Sequence, residues 1–138
     1  MYIDASGKEV PNPDPQSGLY IRSRKGELVK VNVPADYLAF QIGETAQVHS
    51  GGVLQATPHC VRAAATENAV GVSRETFAVF MEPQWDEPMS IPEGTSAEQV
   101  CHGSSAKLFP PGVPVLATRW NPEQDFGKFT EVTLKSYY

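Results

Sequence analysis

Leu19-Tyr20-Ile21-Arg22, a polar turn from Ser23 to Glu27 around Gly26, and Leu28-Val29-Lys30-Val31-Asn32-Val33 decide how this chain is read. In the second run Val29, Val31 and Val33 share one face while Lys30 and Asn32 share the other, the period of two of a half-buried strand. Strand, glycine turn and returning strand make an antiparallel hairpin with one wet face. Outward from it, Pro34-Ala35-Asp36 breaks the run before a more apolar strand, Tyr37-Leu38-Ala39-Phe40-Gln41-Ile42, which Gly43 ends. Thr57 to Ala64 and Arg74 to Met81 make two further strands, joined by a small-residue loop from Ala65 to Gly71. Upstream, Met1-Tyr2-Ile3 is β-prone and reads as the end of a strand whose earlier part is absent. Asp4 to Lys8 is a turn, and Pro11, Pro13 and Pro15 keep residues 9–18 out of any central strand.

Helices are few in this reading. Glu44 to His49 makes a short helix that Ser50-Gly51-Gly52 stops. Glu82 to Ser96, rich in proline and acid and without periodicity, is expected as a surface loop over the sheets. Asn121-Pro122 fits an N-cap with proline at the first helical position, and Gln124 stands where a capping-box partner belongs. Phe126, Phe129, Thr133 and Tyr137 then recur at helical spacing, which predicts a terminal amphipathic helix that Gly127 weakens by about 1 kcal/mol relative to alanine. Several short strands and one closing helix favour a mainly β fold, a sandwich or jelly roll.

Composition sets the outer limits. The 138 residues suit one domain over 1–138, its core expected at about 1–83 and a loop with the C-terminal helix at 84–138. Eleven glycines and twelve prolines exceed the roughly 12% of average usage, which favours turns between short strands over a helical bundle. A formal charge of −5 argues against a general nucleic-acid or anionic-membrane binder. No stretch approaches the roughly 18 apolar residues of a membrane span, and no secretory signal is visible. Two cysteines, Cys60 and Cys101, cannot make a disulfide framework; two reduced thiols in a cytoplasmic protein are the expectation.

Among residues that could carry chemistry, the three histidines, His49, His59 and His102, stand out by scarcity. His59, Val61 and Ala63 point one way on their strand, and Arg74, Thr76, Ala78 and Phe80 share a face on the next. If the two strands pair through the 65–71 loop, an imidazole and a guanidinium look into one interior, where a buried arginine needs an anionic partner. The plainer alternatives are a hydrogen-bonded edge histidine and an Arg74 paired with Glu67 or Glu75. His49 at a helix end suits the dipole and needs no function. Cys101-His102 before Gly103-Ser104-Ser105 lacks a second ligand pair and reads as loop.

The order of segments is more specific than any single residue. Gly18-Leu19-Tyr20-Ile21, Lys30-Val31-Asn32-Val33-Pro34 and Phe40-Gln41-Ile42-Gly43-Glu44 lead to Ser50-Gly51-Gly52-Val53-Leu54, Thr57-Pro58-His59-Cys60-Val61 and Arg74-Glu75-Thr76-Phe77. This succession resembles the C-terminal half of the isopenicillin N synthase-like 2-oxoglutarate/Fe(II)-dependent dioxygenases over residues 18 to about 83. It extends more loosely to Asp125-Phe126-Gly127-Lys128-Phe129. The resemblance implies an incomplete double-stranded β-helix, the jelly roll of that group. It implies His59 as the second histidine of the iron-binding triad, Arg74 as the grip on the distal carboxylate of 2-oxoglutarate, and Thr76 in the place of the usual serine.

The departure is equally specific. The family's other two ligands form a His-x-Asp pair upstream of the hairpin, and this chain contains no His-x-Asp or His-x-Glu. The expectation is therefore a C-terminal part of such an oxygenase, whose parent hydroxylates or desaturates a small organic substrate and which by itself binds Fe(II) poorly. A second hypothesis is a non-catalytic jelly-roll module. For either, exposed strand edges predict a homo-oligomer. A third is a cupin-like metal protein in which His49, His59 and His102 converge.

Overall fold

A computed structural model of the chain describes residues 1–34, 36–102, 109 and 112–137. Ala35 of the predicted break and Gly103-Ser104-Ser105 of the predicted loop lie outside the described residues. Two three-stranded antiparallel sheets and a few short helices make up the rest, a mixed architecture without a closed barrel among the described residues.

The hairpin forms as its alternation dictates. Gly18–Arg22 (β3) pairs with Leu28–Lys30 (β4) in the register Ile21 opposite Val29, and Gly26 turns the chain at φ +82°. The ladder runs one step further, since Val31 N donates to Leu19 O at 2.8 Å. The third strand of this sheet, His59–Arg62 (β5), lies along the other edge of β3 with Ile21 opposite His59 and Leu19 opposite Val61. The second sheet contains Tyr2–Asp4 (β1), Glu9–Val10 (β2) and Val72–Arg74 (β6), in the order β2-β1-β6. The proline-bounded segment after the first turn is thus an edge strand, the one place such a segment can pair.

This topology corrects two expectations. The strands of His59 and Arg74 are not neighbours: β5 joins the hairpin, while β6 joins β1 with Tyr2 opposite Arg74. The predicted strands at Tyr37–Ile42 and beyond Arg74 to Met81 have no ladder partner among the described residues. Their phenylalanines stand in solvent, Phe40 at 84% and Phe77 at 92% exposure. A strand pattern needs a neighbouring edge to become a strand, and neither segment has one.

The core lies elsewhere than expected. Of the buried apolar side chains among the described residues, Val48 alone comes from 1–83; the others are Met89, Val100, Leu116, Trp120, Phe126 and Phe129. They gather Glu44–His49 (α1), Ala97–Cys101 (α2), a 3₁₀ turn at Leu116–Thr118 and Phe126–Tyr137 (α3). Buried Gln47 ties α1 in: its Nε2 donates to Val100 O and its Oε1 accepts from Ala56 N, both at 2.7 Å. Gly51 and Gly52 end α1 with positive φ, as the sequence predicts, and Gly52 has a second reason to be glycine. A Cβ there would lie 2.8 Å from the backbone oxygen of Gln99, so α2 could not approach.

The proline-rich segment is not a loose cover. Met89 is fully buried, and carbonyls from this stretch satisfy the first N–H groups of α3 that have no partner inside the helix. Phe126 N donates to Glu87 O and Gly127 N to Trp85 O, both at 2.8 Å. Gly127 is where the Trp85 indole rests on the helix, leaving no room for a Cβ. The helix also begins later than its sequence signal. Asn121 and Gln124 do form reciprocal bonds, but they close a turn, and Asp125 Oδ1 accepts from Lys128 N at 2.6 Å to cap α3.

Candidate functional site

Direct opposition across the hairpin sheet puts Leu19, Ile21, Val29, His59 and Val61 on one face. That face is only partly covered: Leu19 and Ile21 are half-buried, while Val29 is 42% and Val61 54% exposed. His59 stands at the start of the edge strand β5, exposed, where its ring nitrogens meet Gln41 Nε2 at 3.1 and 3.3 Å and its Nδ1 meets Thr57 O at 3.2 Å. These contacts are those of the hydrogen-bonded edge histidine that the sequence offers as the plainer alternative.

Arg74 ends β6 opposite Tyr2, and Thr76 follows beyond the ladder; both are exposed. No ion pair among the described residues joins Arg74 to Glu67 or Glu75, and no hydrogen bond links it or Thr76 to His59. His59 and Arg74, which the resemblance singles out, therefore lie in different sheets, with Thr76 beyond the second. The histidines do not converge either. His49 Nε2 meets Pro88 O at 3.2 Å, and His102 borders a separate hollow beside Cys101, Trp120 and Asn121. Among the described residues no three of His, Cys, Asp or Glu gather as a metal site. The residues present therefore do not fit an Fe(II) centre by themselves, for they supply one of the three ligands that the resemblance implies.

The buried charge sits away from both sheets. Arg119, not Arg74, is the buried arginine: its Nη2 donates to both Glu44 oxygens at 2.6 and 2.7 Å and its Nη1 to Thr133 Oγ1 at 3.0 Å. Phe129 and Tyr137 place their rings 5.8 and 6.0 Å from the guanidinium carbon. The α3 stripe of Phe129, Thr133 and Tyr137, legible as amphipathic, is thus the cradle of a cation. A polar Thr133 amid aromatic positions is the signal that could have pointed to it. The pair joins the first turn of α1 to α3 and, with both oxygens of Glu44 engaged, acts as an anchor, not a catalytic group.

A cavity of about 490 Å³ lies against the side of the hairpin sheet that carries Tyr20 and Arg22. Tyr20, Arg22, Leu28, His59 and Cys60 line it from the sheet, with Gln41 to Glu44 and Tyr137 closing it. Both cysteines are free thiols. Burial first, and the charge of Glu44 second, push the Cys101 thiol above its ordinary value, whereas Cys60 is exposed. No helix among the described residues is long and apolar enough to cross a membrane. No family model, curated protein or solved structure matches the chain.

Proposed function

We propose that this chain is the C-terminal portion of a double-stranded β-helix of the 2-oxoglutarate/Fe(II) oxygenase type, whose parent acts on a small organic substrate, and that it is not catalytic alone. The observation that carries the reading is the apolar face of half-buried Ile21 and exposed Val29 and Val61 with His59 beside them. A soluble sheet pairs such a face with a second layer. A ligand histidine set in that face would then point into the interior of the roll. In the parent, His59 would join a His-x-Asp pair on the iron, and Arg74 with Thr76 would take the distal carboxylate of the keto acid. The present residues complete neither set, so no chemical step is assigned to them.

Two measurements test this. The coding sequence ahead of Met1 should carry an in-frame His-x-Asp, and the longer polypeptide should bind Mn(II), used in place of Fe(II), at micromolar concentration in a manner abolished by His59→Ala. The present chain should bind Mn(II) a thousandfold more weakly or not at all, because losing two ligands removes most of the binding energy. A stop codon directly upstream, or micromolar Mn(II) binding by the chain alone, overturns the proposal.

The exposure of Phe40, Phe77 and Phe80 favours a second reading, a non-catalytic module that self-associates through these surfaces. It requires a dimer or larger species by light scattering at micromolar concentration; a monomer rules it out.

A further inference from the structure

The cavity on the polar side of the hairpin sheet has features of its own. Its volume falls within the range of small-molecule sites, and its wall is mainly apolar. Among the described residues Arg22 is the one Lys or Arg in that wall. Its Nη1 donates to Gly26 O at 3.0 Å, and among the described residues no carboxylate pairs with it. A guanidinium carries five N–H donors in a planar fork, so one carbonyl leaves most of that capacity unused. The wall's carboxylate, Glu44, is not available to it, because Arg119 engages both of its oxygens.

We propose that this cavity binds a small amphipathic carboxylate, an aryl- or alkyl-carboxylic acid. Its anion is held by the Arg22 fork and its hydrocarbon part lies against Leu28, Ile42 and Tyr137. A single guanidinium in an apolar wall matches one planar monoanion; a phosphate dianion would leave charge uncompensated in the same surroundings. The chain's net charge of −5 gives anions no general attraction, so affinity here must come from the local fork and the apolar wall. The proposal is independent of the oxygenase reading, since its anion contact is Arg22 and it needs no metal.

The test is a calorimetric titration of the whole chain with 3-phenylpropionate. Saturable binding is expected, with 3-phenylpropanamide and the Arg22→Gln variant each at least about tenfold weaker, as loss of a charge-assisted hydrogen bond implies. Binding should be unchanged by EDTA, so failure of the iron reading and failure of this one are told apart. A second readout uses Cys60 in the cavity wall: bound 3-phenylpropionate should slow its alkylation by iodoacetamide and leave the slower Cys101 unaffected. If Arg22→Gln does not fold, Ile42→Trp, which fills the cavity and spares the arginine, must abolish binding. Equal affinity for the amide, unchanged affinity in either variant, tighter binding of 2-oxoglutarate than of 3-phenylpropionate, or no saturable binding overturns the proposal.

Discussion

The hairpin sheet and the helical core put similar amounts of apolar sequence to opposite use. In and beyond the two sheets, Val29, Val61, Phe40 and Phe77 are correctly patterned for strands and stand exposed. Around α3, Phe126 and Phe129 from a stripe no more apolar reach 8% and 5% exposure, because Trp120, Leu116, Val100 and Met89 close over them. The difference teaches that a period in sequence specifies which side of an element seeks cover. Stability comes only when another element supplies that cover.

Core truncation should separate the two regions most sharply. Phe129→Ala removes a packed ring and one of the two aromatic contacts on Arg119, and a loss of about 4 kcal/mol in urea unfolding is expected. Phe77→Ala should change stability by no more than about 0.5 kcal/mol. Comparable losses from the two would mean that the 76–81 segment is covered after all.

Next comes the buried pair. Glu44→Gln leaves the Arg119 guanidinium, whose side chain is 2% exposed, without its counter-charge, and about 3 kcal/mol should be lost. Removing the exposed Lys128–Glu131 pair should cost almost nothing. The Gly52→Ala variant, with a Cβ against the Gln99 carbonyl and a φ of +83°, should lose about 2 kcal/mol; Gly7→Ala meets no neighbouring atom and carries only the conformational part. Equal effects at the two glycines would show that α2 is free to shift.

The smallest expected effect is one of pH. Asp14, buried between the loop before β3 and the loop after β5, accepts from Ala65 N at 3.0 Å and Gln16 N at 2.8 Å. The Ala65 bond first, then the Gln16 bond, hold its carboxyl below the ordinary value of 3.8. A carboxylate lowered on folding stabilises fully above that ordinary value, and its contribution fades as pH falls from there through the lowered one. Amide-exchange protection of Ala65 should therefore weaken below about pH 4 in the native chain. Asp14→Asn should abolish that dependence; a profile unchanged by the substitution would falsify the assignment.

Much of the local structure was legible. Alternation gave the β3–β4 hairpin and Gly26 its turn, the Gly51-Gly52 pair marked the end of α1, and the spacing of Phe126, Phe129, Thr133 and Tyr137 gave α3. These follow from sterics and periodicity within a few residues. The pairing of β5 with β3 and of β6 with β1 was not legible, since register between distant strands depends on which edges meet. For the same reason the sequence pointed to Arg74 as the buried cation when Arg119 is, its partner Glu44 lying 75 positions away. The cavity beside Arg22 was also hidden, because alternation alone marks that face as wet.

By itself, then, the sequence determined where this chain turns, which sides of its strands are apolar and that it closes with an amphipathic helix. Only the tertiary structure decided that the dry core would form around α3 and not inside the sheets, and which of its arginines would be buried. Local preferences act through neighbouring atoms along the chain; burial and charge pairing depend on surfaces brought together from far apart in it.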